Sequence, residues 1–268
     1  MIDMEECMQL IAREKAECPP GSKLWKVAPI QGRQLLDVNP EHLLNDGLYR
    51  KCDCKTAGGG YDHFPEIGED LTGIRCRHQF VVQLYGCHLD CPYCYVTRDG
   101  VFGESVYVSS KSIIEAFKKS KMDVLHLMGG APALYMSDWH DIKELVPDNK
   151  VFTSDLLLTE CEYDKGVIDR LNRMYNSVYA VNIKGLTDEE YKANTGRDID
   201  WGLFWRNMDK IMDSYLAFYF TFTNVEKGAA LEAFRERISK DYGSYRLSRS
   251  FHIDIIQYKA LQAPREVK

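Results

Sequence analysis

The chain has 268 residues, 45% of them apolar, which suits one α/β domain with extensions or two small domains and excludes general disorder. Lys plus Arg total 34 against 40 Asp plus Glu, a net charge of −6 that disfavours non-specific binding to phosphate backbones, so a nucleic-acid partner is not expected. No apolar stretch is long enough to span a bilayer, and Met1-Ile2-Asp3-Met4-Glu5-Glu6 lacks the basic-then-apolar pattern of a secretory signal, so the expectation is a cytoplasmic protein with no membrane partner.

A helix is predicted over residues 3–17. Asp3 and Glu6 form a capping-box pair, and Met4, Cys7, Met8 and Ile11 recur at helical spacing. Cys18-Pro19-Pro20-Gly21 ends it. Residues 22–77 contain Asn39-Pro40, Cys52-Asp53-Cys54 and Gly58-Gly59-Gly60, and read as a loop-rich extension without a regular layer. The chain thus divides into an N-terminal helix and extension over 1–77 and a main domain over 78–268.

From residue 78 strands and helices alternate. Residues 79–85 read as a strand, followed by a helix over 110–121 with Ile113, Ile114 and Phe117 on one face. Residues 123–128 form a second strand before a helix near 137–146, and a third strand begins at 151 before a helix near 163–174. A fourth strand over 177–183 leads to helical segments at 187–193 and 203–214. A fifth covers 216–222 before a helix near 227–240, and a sixth covers 251–256. Six alternations imply a parallel sheet covered by helices. A closed eightfold barrel needs more residues than remain. The expected fold is α/β, an open six-stranded partial (β/α)6 barrel; a doubly wound open sheet is the competing architecture.

Nine cysteines in a reducing compartment point to metal or redox chemistry rather than disulfides. Three fall in Gly86-Cys87-His88-Leu89-Asp90-Cys91-Pro92-Tyr93-Cys94, directly after the first strand of the series, where α/β folds carry their chemistry. Spacing of i, i+4 and i+7 also suits three small residues on a buried helix face, but Pro92 and Gly86 disfavour a regular helix there. Structural zinc would take four ligands, with His88 or a distant cysteine as the fourth, and no partner pair stands at matching distance downstream. An iron–sulfur cluster with one open iron is the third reading.

The CxxxCxxC spacing, with aromatic Tyr93 just before Cys94, resembles the signature of the radical S-adenosylmethionine (SAM) superfamily. The resemblance implies a 4Fe-4S cluster on Cys87, Cys91 and Cys94, with SAM bound to the open iron. It implies reductive cleavage of SAM to methionine and a 5′-deoxyadenosyl radical that takes hydrogen from a substrate. It also implies a one-electron donor such as flavodoxin or ferredoxin. Tyr93 is then placed against the adenine, its alternative being a packed core aromatic.

Met128-Gly129-Gly130-Ala131-Pro132, after the second strand, resembles the superfamily's Gly-Gly-Glu-Pro segment that contacts the SAM amino group. Ala131 stands where Glu is common, so backbone carbonyls have to serve. Ser154 and Asp155, ending the third strand, and Asn182 and Lys184, ending the fourth, resemble the SAM-contacting region of glycyl-radical-enzyme activases. Asn182 replaces an Asp of that group. For Ser154, Asp155 and Lys184 the alternative is helix capping and surface charge. Thr221 and Thr223 fall on one face of the fifth strand, and His252 is read as a core residue.

Cys18, Cys52, Cys54 and Cys76 show no regular ligand spacing, so a single cluster is expected; Cys161 is read as a core position. The expected function is a radical SAM enzyme closest to the activases of glycyl radical enzymes, with a protein substrate. Radical SAM modification of a small molecule or peptide, a cluster protein without SAM chemistry, and a zinc-stabilised binding module are the alternatives.

Overall fold

The computed structural model describes residues 4–16, 24–27, 62–67, 71–76, 79–94, 102, 105–243 and 254–256. Helix α1 (Met4–Ala16) precedes β1 (Leu24–Val27), β2 (Asp62–Ile67), β3 (Leu71–Cys76) and β4 (Gln79–Gln83). Then come β5 (Val106–Ser109), α2 (Ser110–Ser120), β6 (Val124–Met128), a 3-10 helix (Pro132–Asp138), α3 (Trp139–Lys143) and β7 (Val151–Leu156). The series continues with α4 (Lys165–Leu171), β8 (Ser177–Ile183), α5 (Asp188–Thr195), α6 (Trp201–Met212), β9 (Phe218–Thr223), α7 (Ala229–Tyr242) and β10 (Asp254–Ile256).

One open sheet of eight strands runs β10-β9-β8-β7-β6-β4-β3-β2. Each adjacent pair from β4 through β6, β7, β8 and β9 to β10 is parallel, which confirms the open partial barrel. The segment read as loop-rich departs from expectation. Its strands β2 and β3 form an antiparallel hairpin that pairs with β4, and β1 pairs antiparallel with β5. Val106-Tyr107-Val108 has strand character, but it lies in the long connection after the cysteines and was not expected to pair. The helix expected near 137–146 starts earlier and stops sooner. Pro132 sets the first turn, and Pro147 disfavours helical backbone in the residue before it.

The two sheet faces differ as alternation requires. Phe80 and Val82, Leu125 and Leu127, Phe152 and Leu156, Tyr179 and Val181, and Phe220 and Phe222 are all fully buried in the main core. Over them pack Ile113 and Phe117 of α2, Phe204, Met208 and Ile211 of α6, and Phe234 and Ile238 of α7. The opposite parity carries the buried polar side chains: Gln79 and Gln83, His126, Thr153, Thr221 and Thr223 are buried there, beside Val81, Val124 and Ala180. Side-chain caps fix where the helices begin. Ser109, Asp164, Thr187 and Asp200 accept from the backbone N–H groups of Ser112, Val167, Glu190 and Leu203.

Candidate active site

The cysteine loop leaves the C-terminal end of β4 and is welded to the Gly-Gly turn after β6. Gly86, Gly129 and Gly130 have φ of 93°, 75° and 60°, a region L side chains rarely adopt. Ala131 N–H donates to Gly86 O at 2.7 Å, and Leu84 N–H to Met128 O at 3.1 Å. A Cβ on Gly130 would stand 2.4 Å from Gly86 O and 2.6 Å from Leu84 O. The close approach at Gly130 is therefore to the backbone that launches the cysteines.

Inside the loop Cys94 N–H donates to Cys91 O at 3.0 Å, and Leu89 N–H points to Cys87 Sγ at 3.4 Å. Asp90 N–H donates to Thr195 O at 2.8 Å, tying the loop to the end of α5. Cys91 is buried, Cys87 and Cys94 are half-buried, and none of the three is in a disulfide. Leu89, Tyr93, Ala131, Leu157 and Tyr191 pack around them as a second apolar cluster. Among the described residues one group of three potential ligand atoms converges within 4.8 Å, His140, Asp141 and Glu144 of α3. Three cysteines outside any disulfide on one loop, in a shell that limits water, fit a cluster.

The other predicted residues divide by sheet face. Lys184 Nζ lies 5.5 Å from the Tyr93 ring centroid and donates to Thr223 Oγ1 at 3.4 Å, which joins the end of β8 to the cysteine loop. Asn182 accepts from the Thr221 hydroxyl. Asp155 pairs with His126 Nε2 at 3.6 Å, and His126 Nδ1 meets Gln79 Oε1 at 2.8 Å. Ser154 alone takes the opposite face: it is fully buried, and its hydroxyl donates to Leu127 O at 2.8 Å. Strand alternation from Asp155 puts it among the core residues, apart from the other candidates. Cys161 packs against the core, and burial with the Glu160 charge pushes its thiol up to about 12. Cys76 ends β3; Cys18, Cys52, Cys54 and His252 lie outside the described residues.

Sequence reading missed the loop after β7. Glu160 is fully buried and its carboxylate accepts from Leu157 N–H at 3.0 Å, Thr159 N–H at 2.9 Å and Tyr163 O–H at 2.9 Å. Burial pushes it up to about 7 against the lowering effect of those hydrogen bonds. The Tyr163 phenol oxygen Oη also accepts from Leu158 N–H, and Asn207 of α6 donates to Leu158 O and Cys161 O. The loop thereby presents Thr159 Oγ1 to His88 Nε2 at 3.0 Å and to Tyr191 O–H at 2.9 Å. Burial, with Arg197 nearby, pushes His88 down to about 3, so the ring is neutral. Asn194 fastens α5 to the strand ends by donating to Lys184 O at 2.8 Å and Asn224 O at 3.2 Å. The available signal was Thr187-x-x-Glu190, a capping-box pattern that marks the start of α5.

No curated protein sequence matches the chain. Among solved structures it is similar to HydG, a maturase of the FeFe-hydrogenase, at 11% identity and TM-score 0.47, covering 70% of this chain and 44% of that one. It is similar to native anSMEcpe with bound AdoMet and Kp18Cys peptide at 13% identity and TM-score 0.45, covering 68% and 51%. SuiB of Streptococcus suis bound to S-adenosylmethionine gives 11% identity and TM-score 0.34, covering 66% and 46%. The chain spans about half the length of these proteins. The family model of the radical SAM superfamily, whose enzymes bind a 4Fe-4S cluster and SAM, matches residues 81–226, from the first parallel strand to the loop after β9. With over half of its length in that match, the chain belongs to the radical SAM superfamily.

Proposed function

We propose that the chain reductively cleaves SAM, with a 4Fe-4S cluster held by Cys87, Cys91 and Cys94 and SAM seated along the C-terminal rim of the strands. The observation that carries this reading is the weld between the cysteine loop and Gly129-Gly130: two segments from neighbouring parallel strands meet through the Ala131 N–H to Gly86 O bond of 2.7 Å. When bound, the cluster supplies one electron that splits the sulfonium of SAM into methionine and a 5′-deoxyadenosyl radical, the agent of hydrogen abstraction. The chain's own residues bind and orient. Glycine at 129 and 130 lets this turn take positive φ and pack against Gln83 and the Leu84–Gly86 backbone, which sets the position of the cysteine loop. Tyr93 and Lys184 form a stacked wall on the adenine side, and Leu157, Leu89 and Tyr191 exclude water from the thiolates.

The finer reading is an activase of a glycyl radical enzyme, supported by the residues at the end of β8. Its partners are that protein and a flavodoxin or ferredoxin, in the cytosol, where thiolates stay reduced. Among the described residues no helix is long and apolar enough to cross a membrane. The test is anaerobic reconstitution with iron and sulfide, reduction by dithionite, and assay of 5′-deoxyadenosine. Cys87→Ala, Cys91→Ala and Cys94→Ala are each expected to abolish the product while circular dichroism stays near wild type. Wild-type turnover in any of them sinks the cluster assignment. Transfer of a radical to a glycyl radical enzyme tests the finer reading; product formation confined to small molecules or peptides overturns it.

A further inference from the structure

The connections that lead into β7 and β8 enclose a cavity of about 630 Å³, at the end of the sheet opposite to the cysteine loop. Three cations line it: Lys143 at the end of α3, Arg170 in the last turn of α4, and Arg173 just beyond. Basic residues in the last turn of a helix ordinarily complement its dipole from the surface. Lys143 departs from that pattern. It is only 8% exposed, and its ammonium makes no hydrogen bond or ion pair among the described residues. Nor is the ammonium sealed in the core: it keeps a path to solvent, and the space that the residue lines is the cavity. Burial pushes Lys143 below its ordinary value, and the Asp148 carboxylate offsets part of that. A buried cation is costly unless an anion meets it. Arg170 and Arg173 are exposed, and among the described residues neither guanidinium is held by a carboxylate. The opposing charges in the lining are Glu144 and Asp148, and Glu144 Oε1 is engaged by His140 Nε2 at 3.1 Å. A chain of net charge −6 thus gathers an excess of cations on one cavity.

The walls are held in place. Val146 N–H donates to Lys143 O at 3.0 Å, and Arg173 N–H to Arg170 O at 3.2 Å, so the cations stand on closed turns. The Asn176 amide donates to Asp148 O, and Phe152 N–H donates to Asn176 O at 2.9 Å, which ties the two connections together. The volume falls within the range of about 300–1,000 Å³ usual for small-molecule sites and exceeds what a lone phosphate ion fills. Tyr175, 89% exposed, also lines the cavity and adds an aromatic surface of the kind on which heterocycles stack.

The geometry points to a second binding site: the cavity of Lys143, Arg170 and Arg173 takes a small molecule that carries phosphate, with Lys143 as its buried charge and the two guanidinium groups as phosphate donors. The site is independent of the cluster and of SAM, which belong to the opposite ends of the strands.

The experiment is isothermal titration calorimetry of the full chain at about 0.15 M chloride, which screens non-specific attraction. The probes are inorganic phosphate, pyrophosphate, ADP and citrate. Pyrophosphate and ADP are expected to bind at one site per chain, more tightly than inorganic phosphate and than citrate, a polyanion without phosphate. Lys143→Met keeps the stem and removes the charge, and is expected to weaken binding about tenfold or more. Arg173→Gln, at an exposed position, is expected to weaken it about threefold, and it decides the matter if Lys143→Met does not fold. Asp148→Asn removes an opposing carboxylate and is expected to tighten binding about twofold, an effect that a merely structural lining would not give. Tyr175→Ala separates the sources of the phosphate. A loss confined to ADP assigns a nucleotide; no loss for either probe assigns a ligand held by its phosphates alone. The proposal is overturned if neither pyrophosphate nor ADP gives saturable binding at millimolar concentration, or if affinity is unchanged in every folded variant of Lys143 and Arg173. Citrate binding as tightly as pyrophosphate overturns the phosphate assignment, and displacement of the probe by SAM overturns the second site.

Discussion

The same parallel strands present two faces of opposite chemistry. Toward the helices, Phe80, Phe152, Tyr179, Phe220 and Phe222 are fully buried in a continuous aromatic and aliphatic layer. Toward the barrel interior, Gln79, Gln83, His126, Thr153, Thr221 and Thr223 are equally hidden from solvent but carry hydrogen-bonding groups. Burial alone does not distinguish them. Apolar residues on the outer face drive the fold, and polar residues on the inner face are kept where a small polar ligand has to be seated. The cysteine loop, Gly129-Gly130 and Lys184 stand at the rim, where the strand ends expose both.

The largest effect expected from this contrast falls on the outer face. Phe220 is fully buried against Phe218, Phe222 and Phe234, so Phe220→Ala is expected to lower stability by about 3–5 kcal/mol. Its neighbour Thr221 points inward and donates to Asn182; Thr221→Val is expected to cost about 1 kcal/mol. Urea unfolding of both variants measures the difference. Equal losses would erase the distinction between the faces.

The next effect is a pH dependence carried by the loop after β7. Glu160 is held at about 7, above its ordinary 4.5. Between those values the unfolded chain gives up a proton that the folded chain keeps, so stability falls as pH rises, by on the order of 3 kcal/mol in total. His88, held at about 3 by burial, acts in the opposite sense: its contribution rises with pH until 6.5. The difference between wild type and Glu160→Gln isolates the carboxylate. Unfolding measured from pH 5 to 8 should show the variant gaining on the wild type as pH rises. Parallel curves would mean that Glu160 is ionised throughout.

At the rim, Gly130→Ala is expected to cost about 1–3 kcal/mol, since it joins a positive φ to a backbone collision at 2.4 Å. Because the colliding atoms belong to Leu84 and Gly86, iron incorporation should fall together with SAM affinity. A normal iron content with weakened SAM binding would move Gly130 from the cysteine loop to the ligand.

The strands and the cysteine loop were legible because each is a local pattern. Runs such as Phe218-Tyr219-Phe220 carry their own strand signal, and Cys87, Cys91 and Cys94 lie within one short segment. The hairpin β2–β3 was not legible, because its turn follows none of the tight two-residue patterns and its pairing depends on β4. The face that Ser154 takes was not legible for a related reason. Sequence gives the parity of a strand, but which parity faces the helices is set by the whole sheet. The Glu160–Tyr163–Asn207 network was invisible, since Asn207 is 44 positions from the Tyr163 N–H that it accepts. A lone buried Glu between Thr and Cys has no sequence signature.

The smallest expected effect tests whether the inner face extends to the ligand. Lys184 leaves the end of β8 with its carbonyl fixed by Asn194, so the side chain starts from an anchored backbone. It reaches 5.5 Å from the Tyr93 ring centroid and 3.4 Å from Thr223 Oγ1, spanning the gap between the cysteine loop and β9. A cation over an aromatic face at a partly exposed site contributes about 0.5–1 kcal/mol, which corresponds to a factor of about 2–5 in affinity if the contact is strengthened when SAM binds. Lys184→Met keeps the length and removes the charge. It should leave unfolding stability within about 0.5 kcal/mol of wild type, as substitutions away from buried features do. SAM affinity on the iron-loaded protein should fall by about 2–5-fold, and Thr223→Val, which frees the ammonium without removing it, should have a smaller effect. If Lys184→Met binds SAM as the wild type does, the ligand does not sense the end of β8, and the inner face serves the fold there as the outer face does.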